Sequence, residues 1–187
     1  AITPWNYPLI LASNKFSPAL LTGNTVVLKP APTTPLTSLE LGRLASEIFP
    51  AGVFNVIADD NDLGSILTGH PDIAKISFTG STGTGKRVMH GAAETLKRVT
   101  LELGGNDPAI VLKDADVDGA AQGLAATAFL NAGQICAAPK RLYVANEIYD
   151  AFCERLVAAA RALKLGAGDE EGVTLGPIQN NMQFCKV

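Results

Sequence analysis

The chain has 187 residues, of which 47% are hydrophobic and 18% are charged, and its formal net charge is −3. This length predicts one large domain or two small ones with an ordinary globular composition. The slightly acidic balance gives no electrostatic footprint for nucleic acid or for an anionic membrane surface, and no apolar run is long enough to span a bilayer. The 3 cysteines, an odd number without metal-like spacing, favour a reducing compartment, so we expect a cytoplasmic protein without a metal site.

Helices and strands alternate in the first part of the chain. Apolar periodicity predicts helices over 8–21, from Pro35 onward and from Gly80-Ser81 to about residue 93, with a short helix capped by Asp60 or Asn61. Continuous apolar runs predict strands over 25–29, 53–58, 74–78 and 98–103. This order predicts an α/β fold with a mostly parallel, doubly wound sheet, helices on both faces, and ligands at the carboxyl ends of the strands.

After Gly105 the chain changes character. Strands are predicted over 109–112 and 141–144, and helices over 117–128 and 149–163. The double glycine lets the backbone turn between two sheets, so we place a domain boundary there. The Gly- and Asp-rich tail from Gly166 is expected to pack only against something outside this chain.

One cysteine ends the stretch FLNAGQIC, which runs from Phe129 to Cys136. A free cysteine is more often a small buried hydrophobe than a nucleophile, and Cys136 alone favours that interpretation. Its flank of Gly133 to Ile135, however, places it past a helix end, where the backbone is accessible. Cys153 lies on the apolar face of a predicted helix and is expected to serve packing, while Cys185 receives no assignment.

Several polar residues near predicted strand ends each leave two interpretations open. Glu102 is either a solvated strand residue or a general base, and Lys29 is either a solvated lysine or a ligand of a cofactor hydroxyl. Asn6 forms an Asx turn or donates to an oxyanion.

The stretch FTGSTGTGK, from Phe78 to Lys86, imitates a phosphate-binding P-loop. Arg87 stands where Mg²⁺ coordination needs Ser or Thr, which argues against a nucleotide-hydrolysing module. A strand, a glycine turn and a helix N-terminus still make an anion site, although a plain strand-to-helix turn explains the same residues.

Five motifs in order resemble the NAD(P)-dependent aldehyde dehydrogenase superfamily over essentially the whole chain: PWNYP from Pro4, LKPAPTTP from Leu28, SFTGST from Ser77, LELGG from Leu101 and NAGQIC ending at Cys136. The resemblance implies oxidation of an aldehyde to a carboxylic acid. Cys136 would attack the aldehyde to give a thiohemiacetal, held by the Asn6 amide and the Cys136 backbone amide. Hydride transfer to the cofactor would leave a thioester, which water activated by Glu102 would hydrolyse. Glu102 also favours release of a free acid, because relatives that acylate coenzyme A typically lack this residue.

The resemblance further implies NAD or NADP as the cofactor. Lys29 would meet the adenosine ribose, Gly80 and Ser81 the pyrophosphate, and Trp5 and Gly104 would lie beside the cofactor. Residues 1–104 would form most of the NAD(P)-binding domain of a Rossmann-type sheet, incomplete at its start. Residues 105–187 would form the first part of a second, catalytic α/β domain, incomplete at its end.

Two departures from the family pattern matter. Pro32 stands where many NAD-preferring members carry a glutamate that grips the ribose hydroxyls, so the sequence leaves NAD and NADP both open. The family's chain is longer, so we expect a fragment whose parent is an active homodimer or homotetramer, and the fragment alone to be inactive. The alternatives are a P-loop-like nucleotide-binding module and a non-catalytic relative.

Overall fold

The computed structural model describes residues 1–186, which fold as two compact units: Ala1–Leu103, and the chain from Gly104 onward. Within residues 1–186, every helix is too short or too polar to cross a lipid bilayer.

The first unit alternates helices and strands as the periodicity predicts. Its elements are α1 (Pro8–Leu21), β1 (Val26–Leu28), α2 (Leu36–Ala45), β2 (Phe54–Val56), α3 (Leu63–Gly69), β3 (Lys75–Thr79), α4 (Thr82–Ala93) and β4 (Arg98–Glu102). Helix α1 begins at Pro8, whose fixed φ suits a first helical turn, and Gly23 follows its end with φ 79°.

The strands of the first unit are all parallel. β1 pairs with β2 and β3 pairs with β4, and Ile2 bridges Lys29 on one side and Phe78 on the other. The bridge to Phe78 consists of hydrogen bonds from Ile2 N to Ser77 O (2.9 Å) and from Thr79 N to Ile2 O (3.1 Å). The strands therefore end at one side, which we call the carboxyl edge and define by Thr3, Lys29, Gly80 and Glu102.

The core of the first unit lies between β3, β4 and α4. Ile2, Ile76, Phe78 and Val88 are buried there and pack against half-buried leucine, isoleucine and valine side chains. Apolar side chains of β3 and β4 alternate with polar ones and pack into this core. The last residues of the two strands lie at the carboxyl edge.

The second unit is a smaller parallel α/β arrangement. Its elements are β5 (Asp107–Val111), α5 (Val117–Ala128), a 3₁₀ turn (Leu130–Gly133), β6 (Pro139–Val144), a second 3₁₀ turn (Asn146–Ile148), α6 (Tyr149–Arg161) and α7 (Asn181–Phe184). β5 pairs with β6, and Val111, Ala121 and Phe152 form the buried core. The mixed α/β fold with parallel strands confirms the predicted fold class.

The prediction that Asp60 or Asn61 caps α3 is wrong. Neither Asp60 nor Asn61 caps the helix; the Asp59 side chain accepts the Leu63 backbone N–H at 3.2 Å instead. Asn61 adopts a left-handed φ of 71° in the bend at residues 60–61, and the helix begins only at Leu63.

Candidate active site

Cys136 lies on a strained turn of the second unit, which we call the cysteine turn (residues 131–138). Asn131, Ala132 and Gly133 have consecutive left-handed φ values of 51°, 55° and 72°. For a residue with a side chain this conformation costs about 1–2 kcal/mol, so the surrounding structure has to hold it in place. Cys136 follows this kink and is exposed.

Polar side chains fix the cysteine turn from two directions. The Gln134 side chain donates to Asn131 O at 2.9 Å and accepts the Gln179 N–H at 2.9 Å. Lys140 Nζ donates to Ile135 O at 3.1 Å. The bond from Gln179 corrects the prediction for the tail, which packs against the cysteine turn within this chain.

The two glycines after β4 differ in what they do. A side chain at Gly104 would meet nothing within 4 Å, whereas a Cβ at Gly105 would lie 3.0 Å from Cys136 O and 2.6 Å from Asp107 Oδ1. Gly105 therefore permits the backbone to pass close to the cysteine turn. The sequence shows the double glycine but cannot tell which of the two is required.

The three cysteines have different surroundings. Cys136 and Cys185 are exposed, while Cys153 is half-buried on α6. A hydrogen bond with the Cys153 thiol raises the pKa of the Tyr149 phenol. Cys185 thus provides a matched exposed thiol for any test of Cys136.

Glu102 is the last residue of β4 and its side chain is exposed rather than enclosed by apolar groups. Its main-chain oxygen accepts the Gly80 N–H at 3.0 Å, which joins two residues of the carboxyl edge. The half-buried Lys15 of α1 donates to Ser77 Oγ at 3.3 Å. Burial lowers the pKa of Lys15, and the negative charge of Glu102 acts in the opposite direction. No sequence motif indicates Lys15, whose only signal is that it is the single charged residue of α1.

Two glycines of the glycine-rich turn after β3 are needed for close packing. A Cβ at Gly80 would lie 2.4 Å from the Phe78 ring, and one at Gly85 would lie 2.6 Å from Leu103 Cδ2. Ser81 is the N-cap of α4, and its Oγ accepts the Thr84 N–H at 3.2 Å. The turn is thus a tightly packed strand-to-helix connection, which leaves an exposed helix N-terminus at the carboxyl edge.

Trp5 and Asn6 are half-buried in the bend that precedes α1, and the Asn6 side-chain oxygen is buried. Thr3 and Thr79, at the carboxyl edge, each have a buried hydroxyl without a hydrogen-bond partner among residues 1–186. Buried polar groups nearly always have partners, so these hydroxyls fit a bound group or water at this edge.

Lys29 lies in a buried ion pair that the sequence did not reveal. Its Nζ donates to Asp59 Oδ1 at 2.7 Å and to Pro30 O at 3.1 Å, and the Lys29 and Asp59 side chains are only 5% and 0% exposed. Asp59 follows β2, the parallel neighbour of β1, so the pair stands at the carboxyl edge. The interpretation of Lys29 as a solvated strand-end lysine is therefore wrong.

Comparisons with known proteins agree on one family. The aldehyde dehydrogenase family model matches residues 1–187. The chain is 51% identical to a 3-sulfolactaldehyde dehydrogenase of Pseudomonas putida and 47% identical to the NADP(+)-linked succinate-semialdehyde dehydrogenase GabD of Escherichia coli K12. In both alignments 100% of this chain is covered, but only 39% of the relative.

Solved structures give the same result. An NAD-dependent aldehyde dehydrogenase from Sinorhizobium meliloti superposes with a TM-score of 0.94 at 43% identity, over 97% of this chain and 36% of that one. The chain thus spans well under half the length of these relatives. Because the family model matches the whole chain and the relatives named here are 43% to 51% identical to it, the chain belongs to the aldehyde dehydrogenase family.

Proposed function

We propose that the whole protein carrying this chain oxidises an aldehyde to a free carboxylic acid with NAD(P)⁺. The single observation that supports this most directly is the exposed Cys136 on a left-handed, strained turn, within a chain of this family. Residues with strained backbone cluster at functional sites, where the surrounding structure holds them in place.

In this proposal Cys136 is the nucleophile. Its thiolate attacks the aldehyde carbon to form a thiohemiacetal, and loss of hydride from that carbon leaves a thioester on the sulfur. The Asn6 amide and the Cys136 backbone N–H stabilise the oxyanion, and one such donor contributes about 3 kcal/mol to lowering the barrier. Exposure of Cys136 supports this role, since a buried thiol would not meet a substrate.

Glu102 acts as the general base for the second half of the reaction. It takes a proton from the water that attacks the thioester, and the carboxylic acid leaves as Cys136 is released. Its exposed carboxylate at the end of β4 leaves room for water beside it. A general base of this kind contributes on the order of 10²–10⁴-fold to the rate.

The residues at the carboxyl edge fit a dinucleotide. When bound, the nicotinamide accepts the hydride. Gly80 and Ser81 at the start of α4 would meet the pyrophosphate, Lys29 the adenosine ribose, and Trp5 and Gly104 would lie beside the cofactor. The hydroxyls of Thr3 and Thr79, which have no partner among residues 1–186, are further polar atoms available at this edge. Residues 1–104 then belong to the cofactor domain and residues 105–187 to the catalytic domain.

The proposal extends to the protein's partners and location. The substrate is a small aldehyde, and neither nucleic acid nor membrane is a partner. Similar proteins act on 3-sulfolactaldehyde and succinate semialdehyde, so aldehydes with an acidic group belong in any substrate panel. We place the protein in the cytoplasm as a homodimer or homotetramer.

The test is a dehydrogenase assay of the whole protein with NAD⁺ and NADP⁺ across acidic, aliphatic and aromatic aldehydes. Cys136→Ser is expected to lower kcat at least about 10³-fold, as loss of a catalytic nucleophile does elsewhere. The matched control, Cys185→Ser, changes the other exposed thiol and should keep activity. Equal activity of the two variants, or binding of NAD(P)⁺ without turnover of any aldehyde, would show a non-catalytic relative.

A further inference from the structure

The buried pair of Lys29 and Asp59 stands at the point where the proposed function places the adenosine ribose. Lys29 directly follows β1, and Asp59 comes three residues after the end of β2. β1 and β2 are parallel and in register from Val26↔Phe54 to Leu28↔Val56, so both residues leave the sheet on the same side. In doubly wound folds an acidic residue near such a strand end commonly reads the 2′-position of the ribose.

Asp59 fixes the Lys29 side chain in place. One carboxylate oxygen holds Lys29 Nζ at 2.7 Å, and the other accepts the Leu63 N–H at 3.2 Å at the start of α3. Nζ also donates to Pro30 O at 3.1 Å. An ammonium has three donors, so one N–H remains beyond the two bonds recorded within residues 1–186.

The pair also removes the charge that a phosphate would need. With its neighbour ionised, Lys29 contributes no net positive charge at the carboxyl edge. A ribose 2′-hydroxyl needs only one hydrogen bond from Lys29, which the remaining N–H can donate. A 2′-phosphate would bring close to two negative charges towards a carboxylate that is 0% exposed. Recruiting Lys29 away from Asp59 would leave that carboxylate buried and unpaired, which is strongly unfavourable.

Resting on the proposed function, we infer that Asp59 determines cofactor specificity: by holding and neutralising Lys29, it makes the adenosine site select NAD over NADP. Pro32, half-buried after β1, supplies neither an acceptor for the ribose hydroxyls nor a charge against a phosphate, so the selection falls to Asp59. Similarity does not decide the question, because comparably similar relatives include an NADP(+)-linked and an NAD-dependent enzyme.

The experiment measures dissociation constants of NADH and NADPH for the whole protein by fluorescence titration, and of AMP and 2′-phospho-AMP by calorimetry. The wild type is expected to prefer the nucleotide without the 2′-phosphate in both pairs. Asp59→Asn keeps the size of the side chain and frees the Lys29 charge. It should shift the NADPH-to-NADH affinity ratio towards NADPH by roughly tenfold or more, given the strength of one unit charge at close range.

Asp60→Asn is the matched control, because it removes the same charge from an exposed neighbour. A purely structural role of Asp59 would weaken both nucleotides equally, and that result would overturn the inference, as would an unchanged ratio. A wild type that prefers 2′-phospho-AMP would overturn it as well, even if Asp59→Asn fails to fold. Failure of the wild type to bind any of the four nucleotides would instead overturn the proposed function itself.

Discussion

The carboxyl edge of the first unit and the cysteine turn of the second are built in different ways. Residues of the edge lie at the ends of parallel strands. The strand register places Glu102 opposite Thr79, and a backbone hydrogen bond joins Glu102 to Gly80. The cysteine turn instead has left-handed backbone at Asn131 and Ala132, held by side-chain bonds.

The two regions should therefore respond differently to substitution. At the edge, strand register holds the backbone, so neutralising an exposed side chain such as that of Glu102 removes a chemical group without moving its neighbours. In the cysteine turn, the position depends on close backbone approach and polar side chains. A single methyl group added at Gly105, which lies against this turn, is expected to displace Cys136 although no reactive side chain is changed.

The largest effect is expected for Glu102→Gln in the whole protein. The amide cannot take a proton from water, so steady-state turnover should fall on the order of 10²–10⁴-fold. Thioester formation precedes that step, so stopped-flow measurement should still show one burst of reduced cofactor per site. Glu94→Gln, a like change at an exposed residue, should behave as the wild type. Loss of the burst together with turnover would show that Glu102→Gln also displaces groups needed for thioester formation.

Next in size is the loss of stability on breaking the buried ion pair. Lys29→Met leaves the Asp59 carboxylate buried without its partner, and removal of one partner from such a pair costs roughly 3–5 kcal/mol in the free energy of unfolding. Urea denaturation followed by circular dichroism measures the change. Lys86→Met removes an exposed lysine of α4 and should move the midpoint little. Equal midpoints for the two variants would mean that the pair does not stabilise the edge.

Gly105→Ala tests the cysteine turn. The new methyl group would lie 3.0 Å from Cys136 O and 2.6 Å from Asp107 Oδ1, so the backbone near the nucleophile has to shift. A small displacement of that kind is expected to lower kcat on the order of tenfold. Gly123→Ala in α5, where a Cβ meets nothing within 4 Å, should keep activity and slightly stabilise the helix. Activity of Gly105→Ala equal to that of the wild type would refute the close-approach argument.

The sequence predicts the regular elements and misses what depends on tertiary contact. Helix α1 runs over 8–21 as predicted, because proline at its start and glycine after its end act locally. The partner of Lys29 lies 30 residues away, and no periodicity encodes which of several aspartates will reach it. The left-handed Ala132 opposes its own intrinsic preference, so local propensity could not predict it.

The smallest effect, on the pKa of Lys15, tests how closely Glu102 is coupled to its surroundings. Burial lowers this pKa and the Glu102 charge raises it, so Glu102→Gln should lower it further, because the neutral amide no longer stabilises the ammonium. The pH dependence of the Lys15 side-chain ¹³C shift, observed with labelled lysine, measures the direction. Glu94→Gln should leave the titration unchanged. A pKa that rises or stays fixed in Glu102→Gln would show that the exposed carboxylate is screened from α1, and the carboxyl edge would then be a set of independent groups.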